Sequence, residues 1–177
     1  MKKFTTAILI LLMGATSALS VQKPAEWIRH VSSEGRYSVL MPAAPTVGTQ
    51  ESTTPEGTKF TQYKATLGDA SGVYLVGYFD HVPGTTFLLE KARDGMIEAI
   101  KGTLLNDSAI SLEDSPGREL RIAATADGIE FLLRAKFYYV GKRVYVLQFI
   151  VPKSSDNATA AANATRFFDS FQLTKAK

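Results

Sequence analysis

From Ser115 to Pro152 the chain reads SPGRELRIAATADGIEFLLRAKFYYVGKRVYVLQFIVP, three apolar-rich runs separated by Asp127-Gly128 and Gly141-Lys142. These two dipeptides constrain the fold more than any other feature. An Asp-Gly pair favours a type I′ hairpin turn, which needs positive φ at both central residues, and Gly in first position suits type II′. Two-residue loops at both places make the segment an antiparallel meander in which Ala126 faces Ile129 and Val140 faces Arg143. A one-residue slip would turn every side chain to the other face, so the turns also decide what is buried. Leu120, Ile122, Ala124, Phe131, Leu133 and Ala135 fall on one face, continued by Phe137, Tyr139, Val144, Val146 and Ile150. That is a core face.

The opposite face carries charge. In this register Glu119 stands opposite Lys136, Arg121 opposite Arg134 and Tyr138 opposite Tyr145, with Phe149 beside Arg134. Opposite charges across a strand pair stabilise by about 0.2–1 kcal/mol, whereas like charges directly opposite destabilise. Arg121 and Arg134 therefore call for an anion. Glu119 or Glu130 placed diagonally is one source. The other is an external carboxylate, phosphate or sulfated group held by two guanidinium forks with aromatic neighbours. Arg121, Arg134, Lys136, Tyr138 and Tyr145 form the candidate anion- or partner-binding site; a one-residue bulge would remove its geometry.

The remaining segments read as cover for this meander. Trp27–Val31 and Arg36–Met41 alternate as strands, the second stopped by Pro42, and Trp27 anchors the core edge. Residues 43–57 suggest an irregular edge strand and a turn at Pro55-Glu56-Gly57. Lys59–Leu67 alternates as a half-buried strand, and Val73–Phe79 is apolar enough to be covered on both faces. Leu89, Ala92, Met96, Ile100 and Leu104 recur at helical spacing behind a Thr85 or Thr86 cap, with Gly95 and Gly102 weakening the helix. Leu105–Glu113 returns as a strand. A last helix carries Ala160, Ala164, Phe167, Phe168 and Phe171, with Ser154, Ser155 and Asp156 as N-cap candidates. Runs of strands with few helices predict an α+β fold with a mainly antiparallel β-sheet flanked by two or three helices.

Met1–Ser20 has the form of a secretory signal: Lys2-Lys3, the seven-residue apolar run Ala7–Met13, and small residues at Thr16–Ser20 that offer two cleavage sites. The run falls well short of the roughly 20 residues that span a bilayer, although an uncleaved N-terminal anchor is the alternative. Val21–Lys177 is then one domain, periplasmic or extracellular, with no later transmembrane segment. Loss of Lys2 and Lys3 takes the 20 basic side chains to 18, against 17 acidic, so the basic balance gives no argument for nucleic acid. With no Cys, the domain has neither a disulfide nor an acylation site and stands on its hydrophobic core.

Catalytic patterns are sparse. Two His, His30 and His81, lack companions at metal-ligand spacing, and Gly68-Asp69-Ala70-Ser71-Gly72 misplaces the Ser of a nucleophile elbow. Asp80-His81 is the one adjacent acid–base pair, at a strand end before Pro83-Gly84. No enzyme activity, metal or other cofactor is expected.

The opening WIRHVSSEGRYSVLMPAAP, the middle LLEKARDGMI, then SPGRELRI, VGKRVYVLQ and the closing RFFDSFQL resemble small secreted bacterial proteins of the PsbP-like superfamily, over about Trp27 to Leu173. The resemblance implies a central antiparallel sheet between helices, a PsbP-like α/β/α sandwich, and non-enzymatic roles as accessory subunits or binding modules. It transfers no functional residue. The expectation is a secreted non-catalytic binding or accessory protein of the cell envelope, with an envelope protein or a small anionic ligand as partner. Two alternatives stand beside it: a small periplasmic hydrolase or metal-dependent enzyme near Asp80-His81, and a protein-interaction module using aromatics beside Gly84.

Overall fold

A computed structural model describes residues 26–53, 57–82, 84 and 87–175. The expected secretory segment, Pro55-Glu56 and the capping candidates Thr85 and Thr86 lie outside the described residues. The first half of the chain forms β1 (Ile28–Ser32), β2 (Tyr37–Met41), β3 (Thr46–Thr53), β4 (Lys59–Asp69), β5 (Gly72–Asp80) and helix α1 (Leu89–Ala99). The second half forms β6 (Thr103–Leu112), β7 (Ser115–Ala126), β8 (Ile129–Val140), β9 (Arg143–Pro152), helix α2 (Ala158–Asp169) and β10 (Gln172–Leu173).

Both turns of the meander form as their chemistry requires. Asp127 and Gly128 have φ of 51° and 78°, and Gly141 has φ of 62°. The register follows: Ala126 pairs with Ile129, Glu119 with Lys136, Arg121 with Arg134, Tyr138 with Tyr145 and Val140 with Arg143. Strand β9 passes the sheet on to β5, giving seven strands in the order β3-β4-β5-β9-β8-β7-β6, every pair antiparallel. A separate three-stranded sheet has the order β1-β2-β10. The fold is α+β and mainly antiparallel.

The central strands of the sheet are buried on both faces, so the face that carries Arg121 and Arg134 is covered. On the expected side, Leu120, Ile122, Leu133, Ala135 and Phe137 pack under α1 through Leu89, Ala92, Met96 and Ile100. On the other side Leu132, Tyr138, Tyr145, Leu147, Phe149 and Val151 pack against α2 and the small sheet. Ala160 and Ala164 let α2 lie close, and Phe167 and Phe168 then fill the space beneath it, each burial stabilising by about 1.5–3 kcal/mol. Strand β7 approaches equally closely at Gly117, where a Cβ would strike the Phe137 carbonyl oxygen and come within 2.6 Å of the Tyr138 ring.

Helix boundaries depart from the periodic reading for identifiable reasons. Helix α1 starts behind Leu88, which supplies no side-chain cap, and stops at Ala99, so Gly102 and Leu104 lie outside it. Its end is a Schellman motif with Lys101 in the left-handed region at φ 49°. There the Lys101 N–H donates to the Glu98 carbonyl at 3.0 Å and the Gly102 N–H to the Ile97 carbonyl at 2.9 Å. For α2 the N-cap is Asn157, whose side-chain oxygen accepts from the N–H groups of Thr159 and Ala160, each at 3.0 Å. Ser154 and Ser155 belong instead to a 3-10 turn, and Asp156 faces the sheet. Residues 46–53, expected to be irregular, form a regular edge strand. No helix among the described residues is long and apolar enough to cross a membrane.

Candidate functional site

The opposed guanidinium groups are held by one carboxylate. Arg121 Nη2 donates to Asp156 Oδ2 at 2.7 Å and Arg134 Nη2 to Asp156 Oδ1 at 2.6 Å. Neither glutamate proposed as the internal source serves. Glu119 lies 3.8 Å from Lys136, as the cross-strand pairing implies, and Glu130 accepts from Lys153 at 3.2 Å. Asp156 reaches both arginines because the 3-10 turn after β9 folds back over β8. A carboxylate with an oxygen for each fork removes the like-charge penalty that the register creates.

The other three candidates lie beneath the end of α2 and the Phe171 that follows it. Lys136 lies 3.9 Å from Asp169 and 5.4 Å from the centre of the Phe168 ring. Tyr138 is buried and stacked on Phe171 at 6.2 Å, and burial pushes its phenol up to about 12. Tyr145 is also buried and donates to the Gly35 carbonyl at 2.8 Å. Registers place Tyr63, Tyr78, Tyr145 and Tyr138 in one row across β4, β5, β9 and β8, ending at Gly117 on β7. All five candidates are thus tied into the cover over the sheet, and of them Tyr145 alone also reaches a groove.

That groove, of about 1030 Å³, opens at the end of the sheet where β4 parts from β5, while β5 and β9 stay paired to Asp80 and Arg143. Four cations line it, Arg36, Lys59, Lys142 and Arg143, together with Phe60, Tyr63, His81 and Tyr145, and Asp80 is the one acidic residue of the described lining. Strand ends place all four cations: Arg36 follows the β1–β2 turn, Lys59 opens β4, and Lys142-Arg143 close the β8–β9 turn. Arg36 holds φ at 54°, and its carbonyl accepts from the Thr174 N–H at 2.9 Å, which fixes the turn against the β10 end.

Arg143 is a clamp between the two sheets. Its guanidinium donates to both carboxylate oxygens of Asp80, at 2.7 and 2.9 Å, and to the Glu34 carbonyl at 2.6 Å, and lies 4.3 Å from the centre of the Tyr78 ring. The Arg143 bonds hold the Asp80 carboxyl below the usual carboxylate range and raise the guanidinium further above its own. Among the described residues Arg36, Lys59 and Lys142 form no salt bridge, and the Arg36 charge adds to that of Arg143 in lowering the Asp80 carboxyl. They are charged, solvent-facing and close to exposed aromatic surface.

His81 lies in the same groove, with its ring 5.9 Å from Tyr139 and 6.0 Å from Phe87. Its neighbour Asp80 spends both oxygens on Arg143. Elsewhere, Trp27 packs edge-on against Tyr74 at 5.6 Å with Arg166 above its ring at 4.7 Å, the anchoring role expected of it. Sequence reasoning found Asp80 and His81 but missed Arg36, Lys59 and Lys142 as a set. The available signal was a basic residue beside each of three turns; only the topology brings those turns to one end.

The sequence matches no protein-family model and no curated protein sequence. Among solved structures, cyanobacterial PsbP (CyanoP) from Synechocystis is similar at 10% identity and a TM-score of 0.56, over 91% of this chain and 98% of that one. A Bacteroides thetaiotaomicron protein matches at 14% identity and a TM-score of 0.48, over 83% of this chain and 48% of that one. A Pseudomonas aeruginosa protein of unknown function, PA94, gives 11% and 0.44, over 79% and 94%. The architecture shared with the cyanobacterial protein over nearly the whole of both chains shows that this chain has a PsbP-like fold.

Proposed function

We propose that this chain is a secreted, non-catalytic binding or accessory protein of the bacterial cell envelope. Met1–Ser20 exports it to the periplasm or exterior, where its basic groove takes an anionic partner. One observation carries the reading: Arg36, Lys59 and Lys142 line a groove of about 1030 Å³ without salt bridges among the described residues, while its acid, Asp80, has both oxygens bonded by Arg143. Uncompensated cations around aromatic surface attract and hold anions, and do so through charge the fold itself does not consume. Occupation of Asp80 also favours binding over hydrolysis, since that carboxylate is not free to orient His81 as a base. The Arg121–Arg134 pair has its anion within the chain and contributes stability to the scaffold.

Isothermal titration with sodium sulfate and with hexaglutamate tests the reading, using the parent and the Lys59→Glu/Lys142→Glu variant. The parent binds the polyanion with heat that shrinks as salt rises, and the variant does not, while unfolding at the parent's temperature. Equal binding by parent and variant, or none by the parent, contradicts it. Export is checked by N-terminal sequencing of protein outside the cytoplasm, which should begin at Leu19 or Val21.

A further inference from the structure

Strand β4 outruns its neighbour. It pairs with β3 from Lys59 through Thr66, but with β5 only from Tyr63, opposite Tyr78. Strand β5 itself runs on to Asp80, held there by β9 at Arg143. Lys59–Gln62 therefore lies extended along the fork with a ladder on its β3 side and none to β5, and Lys59, Phe60 and Thr61 line the groove. Main-chain N–H and C=O groups seek partners, and an extended chain beside such an edge supplies them at alternate residues.

The charges fit the same occupant. Lys59 stands at the start of the free edge, and Arg36 and Lys142, brought from two other turns, line the same groove, so any positive charge an occupant meets lies beside an extended strand edge. A lone phosphate calls for donors converging on one centre. Four extended residues cover about 13 Å, a span that a polymer with repeated negative charge can follow and a single small anion cannot. Phe60 and Tyr63 add apolar surface for the side chains between the charges.

We infer that the groove receives an extended acidic segment of another polypeptide, laid along Lys59–Gln62 with its carboxylates toward Arg36, Lys59 and Lys142. The inference rests on the anion-groove reading and names its partner class. The near-even charge of the mature chain and the absence of a continuous basic track favour a peptide over a nucleic acid.

Fluorescence anisotropy separates the possibilities, with five probes against the full chain. These are a labelled peptide of about eight residues alternating Glu and Val, its Gln-for-Glu counterpart, a labelled heparin-type sulfated oligosaccharide, a labelled single-stranded oligonucleotide, and inorganic phosphate as competitor. The acidic peptide is expected to bind at least about tenfold more tightly than the other probes and to lose about tenfold or more in the Lys59→Glu/Lys142→Glu variant. Pro in place of alternate peptide residues should weaken binding as well, by removing main-chain donors. Equal or tighter binding of the sugar, oligonucleotide or phosphate at the same lysines overturns the inference and leaves the anion groove standing. Failure of every anion to bind overturns both. Circular dichroism of the variant, identical to the parent, establishes that the loss is not unfolding.

Discussion

Arg121 and Arg134 stand directly opposite each other on β7 and β8, and each donates to a different oxygen of Asp156. The strand register imposes the clash, and a residue 35 positions beyond Arg121 resolves it. Asp156→Ala removes that carboxylate while leaving two facing cations. Arg121 is half in solvent, so the loss is smaller than for a fully buried pair; about 1–3 kcal/mol is expected. Urea unfolding measures it, and an Arg121→Ala change added to the variant should restore part of the loss. Unchanged stability in Asp156→Ala would remove the clasp from the account.

At Gly117 the constraint is steric. An added methyl group meets the backbone carbonyl oxygen of Phe137 and the Tyr138 ring, which is itself stacked on Phe171. Gly117→Ala should cost about 1–3 kcal/mol, read as a lower thermal midpoint. Gly48→Ala, where nothing lies within 4 Å, provides the control on an edge strand.

The two sheets are joined at the Glu34–Gly35 turn by Arg143 and Tyr145. Tyr145→Phe keeps the ring and deletes the donor to the buried Gly35 carbonyl, costing about 1–3 kcal/mol. Amide hydrogen exchange should accelerate first in β1 and β2, with the seven-stranded sheet little changed.

His30 gives the chain a pH dependence. Burial lowers its pKa from 6.5, and its Nε2 has no hydrogen-bond partner. The unfolded chain takes up a proton near 6.5, the folded chain only at lower pH. The contribution to stability is therefore full above 6.5 and is lost as pH falls from 6.5 toward the folded value. Urea midpoints taken at about pH 7.5 and about pH 5.5 should differ more for the parent than for His30→Gln. Equal pH dependence in the two proteins would show that His30 is not the group responsible.

These features differ in how far the sequence alone disclosed them. Asp127-Gly128 and Gly141-Lys142 are local signals, so the register of thirty-odd residues, including the Arg121–Arg134 opposition, could be read directly. What covers the second face was not legible in the same way. Tyr138, Tyr145 and Phe149 share a face with Arg134 and Lys136, a mixture that does not say what covers it until the 3-10 turn brings Asp156, and α2 brings Phe168 and Asp169, over it. Strand β10, two residues long, has no periodicity to detect. The groove was least legible, because Arg36, Lys59 and Lys142 come from three turns and become neighbours only when the sheets close. Asp80 and His81 were visible as an adjacent pair, but the bond that occupies Asp80 comes from Arg143, 63 residues away.

The most direct test of the account is a proton–nitrogen NMR titration of the labelled protein with the alternating Glu-Val peptide. Shifts concentrated at Arg36, Lys59–Tyr63 and Lys142-Arg143, with Arg121, Arg134 and Asp156 unmoved, are the predicted result. Shifts centred on Arg121, Arg134 and Asp156, or no shifts at all, would contradict it.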